Sequence, residues 1–272
     1  MNSSTPGHLT VTIWLIGGTS ESKQIAQCLT SWGYSWLVTI ATPLAAQLYT
    51  SLPGKVTAGH LTPTTIDRFL STHTIRAIID ASHPFATQIS QLAIQASQAH
   101  NIPYLRYERP SLSLHPNTLL LPTIEAVLQP IYLDRQHALL TTGVKTLHLF
   151  ADWHHRSHLW ARILPNESSQ QQALAAGFPL DRLIQQRLPA AQERLQKQEE
   201  LKERERQLWR SLNISTVVTK EAGAAGGFAL KQELALELGV QLIAIARPRM
   251  NYPLAIDDVA QAQAFCQQIE QP

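Results

Sequence analysis

The stretch that decides the fold is Val11-Thr-Ile-Trp-Leu-Ile16, followed by Gly17-Gly-Thr-Ser-Glu21 and a helical run from Ser22 to Trp32. A buried strand stops at two glycines, and a helix starts straight after them. Glycine lets the chain turn sharply and leaves no Cβ between main chain and ligand, while Thr19 or Ser20 can cap the new helix. The helix then points its free N–H groups and positive dipole end above the turn, a place that favours a phosphate. Gly17, Gly18, Thr19, Ser20 and Glu21 are therefore candidate nucleotide contacts. The spacing is not the full G-x-G-x-x-G fingerprint, so a plain tight strand-to-helix turn stands as the competing reading.

Working outward, the first half alternates short apolar runs with helical patterns. Strands are expected at 36–41, 55–58, 76–80 and 103–108, and helices at about 43–50, 64–72 and 85–101. That alternation implies right-handed crossovers and a parallel sheet, with ligands beyond the carboxyl ends of the strands. Three polar clusters fall at those ends and should meet in one crevice: 17–21, 80–85 and 106–109. No acidic residue follows the second strand, where Val38-Thr-Ile-Ala-Thr42 stands in place of the usual ribose-binding acid. A 2′-phosphate would meet no repulsion at Thr42, so a bound dinucleotide is expected to be NADPH rather than NADH.

Residues 111–136 read as a connection between a domain at 9–110 and a second at 137–272. The second domain repeats the same logic. Strands are expected at 138–143, 159–163, 216–220 and 241–246, with helices at 147–151 and 228–238. From 190 to 212 the acids and bases nearly cancel, and pairs such as Glu200 with Arg204 are four apart. A solvated helix explains this better than a coiled coil.

Composition narrows the function. With 22 basic and 20 acidic residues in 272, the net charge of +2 argues against a nucleic-acid partner. Cys28 and Cys266 lack metal or disulfide spacing and read as buried thiols in a reducing, cytoplasmic setting. Neither a signal peptide nor a membrane span is expected. His154, His155 and His158 could ligate a metal but have no companion acid or cysteine nearby, so a solvated loop is preferred and no metal is assigned.

Two further stretches could carry chemistry. Asp80-Ala-Ser-His-Pro-Phe85 sets a carboxylate, a hydroxyl and an imidazole at a strand end, although Ser82 or His83 followed by Pro84 also reads as a helix start. Thr219-Lys-Glu-Ala-Gly-Ala-Ala-Gly-Gly227, with Lys231 beyond, is a strand, a glycine-rich loop and a helix, but no Walker loop, since its lysine precedes the glycines.

Taken in series, Gly17-Gly-Thr-Ser-Glu21, Asp80-Ala-Ser-His-Pro-Phe-Ala86, Arg106-Tyr-Glu-Arg-Pro110, Thr141-Thr-Gly143, Thr219-Lys-Glu-Ala-Gly223 with Gly226, Gly227 and Lys231, and Ala246-Arg-Pro248 resemble the precorrin-6A reductases. The resemblance covers about residues 11 to 250. It departs at Gln186-Arg-Leu-Pro-Ala190, where many members have a Gly-Pro-Phe turn. It implies an α/β protein of two Rossmann-like parallel-sheet domains facing a shared cleft. The implied reaction is NADPH-dependent reduction of one double bond of precorrin-6A, or its cobalt form, to precorrin-6B in vitamin B12 biosynthesis.

On that reading Thr42 and Ser82 join the glycine turn as cofactor contacts. A flat ring carrying many carboxylates calls for a wide slot with basic side chains at its rim. Asp80, Arg106, Arg109, Thr142, Gly223, Gly226, Lys231 and Arg247 are the expected substrate contacts, with Arg249 also near a strand end. His83 and Lys220 are candidate proton donors, though solvent could serve. The protein is expected to be a monomer or weak dimer with a tetrapyrrole as its small-molecule partner. A short-chain reductase is disfavoured, because no tyrosine has a lysine four residues on. A reductase of another small anionic substrate and a non-enzymatic nucleotide-binding regulator remain as alternatives.

Overall fold

The computed structural model describes residues 12–187, 196–223 and 226–269. The described residues divide into two compact units, one of 12–110 with 249–269, the other of 111–248.

In the first unit the strands β1 (Thr12–Ile16), β2 (Ser35–Ile40), β3 (Lys55–Ala58), β4 (Ile75–Asp80), β5 (Tyr104–Tyr107) and β12 (Ala255–Ile256) form one parallel sheet ordered β12-β5-β4-β1-β2-β3. β1 is central and covered on both sides, which is why it reads as an unbroken apolar run. Ile13 and Leu15 pack with Ile25 and Leu29 of the helix Ser20–Ser31, whereas Trp14 and Ile16 pack with Phe69, Leu70 and Ile94 on the opposite face. Helices expected at 64–72 and 85–101 are present as Ile66–Thr72 and Thr87–Ala99. The segment Pro43–Tyr49 winds as a 3₁₀ rather than an α-helix, with Pro43 at its first turn.

In the second unit β6 (Thr118–Leu121), β7 (His137–Leu140), β8 (His158–Ile163), β9 (Leu183–Gln185), β10 (Thr216–Lys220) and β11 (Gln241–Ile245) form a parallel sheet ordered β6-β11-β10-β7-β8-β9. Leu139, Val217 and Leu242 pack on one face with Trp209 of the helix Gln198–Ser211 and with Phe228 and Leu234 of the helix Phe228–Leu238. That charged helix is one-sided as expected, with Lys202 and Arg206 paired to Glu233 and Glu237. The part of the range expected for the charged helix that falls at 190–195 lies outside the described residues.

Three expectations are corrected. The segment 111–136 is more than a connection, since Leu242 to Ile245 of β11 pair with Thr118 to Leu121 of β6. The second domain does not run to the C-terminus. Residues 249–269 return to the first unit, where Ala255 and Ile256 pair with Arg106 and Tyr107, and Ala262, Phe265 and Cys266 fill the core beside Leu105. Cys28 is half-buried, and only Cys266 sits in the core as expected.

Candidate functional site

In each sheet the chain leaves a central strand in both directions, and in open α/β sheets ligands sit beyond the carboxyl ends at such switch points. In the first unit the switch lies between β1 and β4. The glycine turn and the Asp80–Phe85 loop stand there.

Thr19, not Ser20, caps the helix. Its Oγ1 accepts from Ser22 N at 3.0 Å, while Ser22 Oγ accepts from Thr19 N at 3.0 Å, a reciprocal capping box. Thr19 Oγ1 also donates to Ala81 O at 2.7 Å, tying the turn to the end of β4. Gly18 has φ +100°, a conformation that favours glycine. Its N–H donates to the buried Tyr49 hydroxyl at 2.9 Å, and that hydroxyl lies 2.6 Å from Ser22 Oγ. The sequence reading missed Tyr49, because a tyrosine closing a short segment after β2 carries no motif. Its phenol pKa is raised by burial, with the bonds to Gly18 and Ser22 acting the other way.

The three polar clusters do meet. Arg109 Nη2 donates to Glu21 Oε2 at 2.8 Å, and Ser20 Oγ donates to the same oxygen at 3.1 Å. Thr42 is exposed at the end of β2 and starts the 3₁₀ segment. Asp80 and Arg106, however, are placed under the loop rather than at a rim. They are 0% and 1% exposed and bonded at 2.9 Å. Asp80 also accepts from Ser82 N at 3.0 Å, Ser90 Oγ at 2.5 Å and Tyr104 Oη at 2.7 Å. Arg106 reaches Ser82 Oγ at 3.1 Å and Glu108 at 2.9 Å, and lies over the Tyr252 ring. Burial works against the guanidinium's charge, but Asp80 and Glu108 outweigh it and raise the Arg106 pKa. The ring of half-buried His83 is turned so that Nδ1 accepts from Phe85 N at 3.2 Å, which places its proton on Nε2.

In the second unit the switch lies between β7 and β10. Thr142 is buried, its hydroxyl 2.8 Å from Thr146 Oγ1, and Gly143 has φ +87°. Lys220 is half-buried at the end of β10. Its pKa is lowered, first by burial and then by the charge of Lys145. Lys145 is a residue the sequence reading passed over, two positions beyond the glycine of the Thr-Thr-Gly turn. Arg247 pairs with buried Glu221, Nε to Oε2 at 2.5 Å. Gly223 has φ +69°, which favours glycine, and a Cβ at Gly226 would lie 2.4 Å from Ala222 Cβ, so the first glycine meets a backbone need and the second a lack of room. Lys231 is corrected from the rim to the interior: it is 5% exposed, and its Nζ reaches the carbonyls of Gly226 and Gly227 at 3.4 Å. Arg249 lies with the first unit. His154 is packed on Phe178, with Nε2 3.2 Å from Ala176 O. Among the described residues no cluster of three or more His, Cys, Asp or Glu could hold a metal, and no helix is long and apolar enough to cross a membrane.

Two parallel sheets, each with a glycine turn at its switch point, define a Rossmann-like α/β protein. The comparisons narrow this class. The sequence model of the family described as precorrin-6x reductase CbiJ/CobK matches residues 12–267, and the chain belongs to that family. It is an oxidoreductase acting on a CH–CH group. It is similar to a cobalt-precorrin-6A reductase of Synechocystis sp., 42% identical over 94% of this chain and 96% of that one. A second cobalt-precorrin-6A reductase, from Priestia megaterium, is 33% identical over 88% and 92%. Among solved structures, a CobK precorrin-6A reductase shares the fold with TM-score 0.73 at 21% identity, covering 95% of this chain and 97% of its own.

Proposed function

We propose that this protein reduces one double bond of precorrin-6A or cobalt-precorrin-6A with NADPH, giving the precorrin-6B oxidation level in cobalamin biosynthesis. The observation that carries the reading is the capped glycine turn at the first switch point, bordered by a β2 end without an acid, in a chain of this family. Gly17 to Glu21 would hold the pyrophosphate, Thr42 would face the 2′-phosphate and Ser82 would approach from the β4 loop. NADPH supplies the hydride; the protein orients the reacting atoms and excludes water. In this reading the buried Asp80–Arg106 pair fixes the Ser82–His83 loop and Arg109 positions Glu21. In the second unit the Thr142 turn, Gly223, Gly226 with its carbonyl held by Lys231, and the Arg247–Glu221 pair would shape the wall for the tetrapyrrole.

Reduction also requires a proton on the neighbouring carbon. Protonating His83 Nδ1 would break its bond from Phe85, so His83 suits hydrogen bonding better than proton donation. Lys220 is the favoured donor, because a half-buried ammonium beside another cation gives up its proton more readily than an exposed one. A cytoplasmic monomer or weak dimer fits this role.

The test is anaerobic incubation of the purified protein with NADPH or NADH and each tetrapyrrole. Concerted loss of the nicotinamide and macrocycle absorption bands, faster with NADPH, is expected. NADPH binding with no turnover of either tetrapyrrole would favour the regulator, and turnover only of another anionic substrate would favour a different reductase.

A further inference from the structure

The second switch point carries two lysines where the sequence reading placed one. Val218 pairs with Leu140, and Thr141 N donates to Val218 O at 2.8 Å, so the ends of β7 and β10 run side by side. Lys220 ends β10, and Lys145 stands in the first turn of the 3₁₀ segment Val144–Trp153 that follows Gly143. The outer side of that turn is open, since a Cβ built at Gly143 meets nothing within 4 Å. Lys145 is exposed and stands four residues beyond Thr141, whose N–H is bonded to the β10 carbonyl of Val218.

Two like charges at one strand edge repel each other, and burial of one of them adds to the cost. An anion placed between them reverses the sign of that interaction. The tetrapyrrole of the proposed reaction carries carboxylates around an apolar ring, so it brings such an anion.

We propose that Lys145 anchors one peripheral carboxylate of the tetrapyrrole at the Thr141–Lys145 turn, setting the ring beside Lys220. This rests on the proposed reaction. It makes Lys145 a substrate-binding residue and leaves proton delivery to Lys220, so the two lysines should differ kinetically.

The experiment compares Lys145→Met, Lys145→Arg and Lys220→Met in the full chain. It uses steady-state kinetics, together with equilibrium binding of the tetrapyrrole, without nicotinamide nucleotide, followed by tryptophan fluorescence. Lys145→Met should raise KM and the dissociation constant for the tetrapyrrole roughly ten-fold, the scale of one charge-assisted contact, with kcat and the KM for NADPH retained. Lys145→Arg should restore most of the loss, and Lys220→Met should lower kcat instead. Unchanged tetrapyrrole binding in Lys145→Met, with normal turnover by the wild type, would overturn the anchor and leave the reaction standing. An equal loss in Lys145→Arg and Lys145→Met would also overturn it, since a charge contact tolerates arginine. A wild-type protein that neither binds nor reduces the tetrapyrrole would overturn the anchor together with the reaction.

Discussion

Gly17 and Gly18 are adjacent, yet they are needed for different reasons. A Cβ at Gly17 would lie 2.4 Å from Tyr49 Oη and 2.5 Å from Val38 Cγ2, whereas one at Gly18 would meet only Ala45 Cβ at 3.8 Å but at φ +100°. Gly17→Ala is therefore expected to displace the buried tyrosine and lower stability by about 1–3 kcal/mol, the usual cost of overpacking. Gly18→Val should act through backbone strain, on the order of 1–3 kcal/mol, and weaken NADPH binding by distorting the turn. Denaturant unfolding and NADPH titration of both variants separate the cases, and unchanged affinity in Gly18→Val would move the nucleotide elsewhere. Lys220 offers a second test at this scale. Its pKa is lower in the folded protein than in the unfolded chain, so between the two values the unfolded state binds more protons and stability rises with pH. Lys220→Met should flatten that rise across the alkaline range and be more stable than wild type at neutral pH, where the half-buried charge is a burden. Thermal melting against pH checks both, and an unaltered profile would mean that Lys220 is not strained by its surroundings. These residue types and positions were legible in the sequence, but their burial was not. Arg106 and Lys231 look like rim cations in one dimension, and only the partners Asp80 and the Gly226–Gly227 carbonyls turn them inward.

Among the elements, β4 and β5 owe their junction to the Asp80 network. Four donors converge on one buried carboxylate, so removing its charge leaves Arg106 buried with one partner fewer. Asp80→Asn or Arg106→Met should cost about 3–5 kcal/mol, as for other broken buried pairs, while Tyr104→Phe should cost nearer 1 kcal/mol. Equal small losses in all three would show that the pair is not isolated from water. At the end of β2 the expected effect is on selectivity instead. Thr42→Asp should repel a 2′-phosphate and shift the affinity ratio toward NADH, and a constant ratio would mean that β2 does not face the ribose. The long central strands were readable because burial on both faces leaves an apolar run. β9 and β12, of three and two residues, give no periodicity at all, and β6 is set among prolines. The helix Glu167–Ala175 was missed because ESSQQQALA has no apolar stripe, and its start is announced only by the Asn166 cap.

At the scale of the whole molecule the two sheets repeat one plan. Each has a central strand at the switch, β1 or β7, and each acquires a sixth strand out of turn, β6 from the residues before β7 and β12 from those after β11. Reading the chain as consecutive domains hides this exchange, because adjacency in sequence is the only guide when the crossing segments are short. The crossing predicts a coupling between distant parts of the sequence. Phe265 is 7% exposed in the helix Val259–Ile269 and packs with Leu105 and Ile79, so its loss opens a cavity in the first unit. Phe265→Ala should destabilise that unit by about 3–5 kcal/mol. Hydrogen exchange resolves where the effect falls: amides of β1, β4 and β5 should lose protection, and those of β7, β10 and β11 should keep theirs if each unit opens independently. Loss confined to the second sheet would contradict the return of the C-terminal segment. Uniform loss in both sheets would mean that they unfold as one cooperative body, and then every stability change predicted above would be read from a single shared transition.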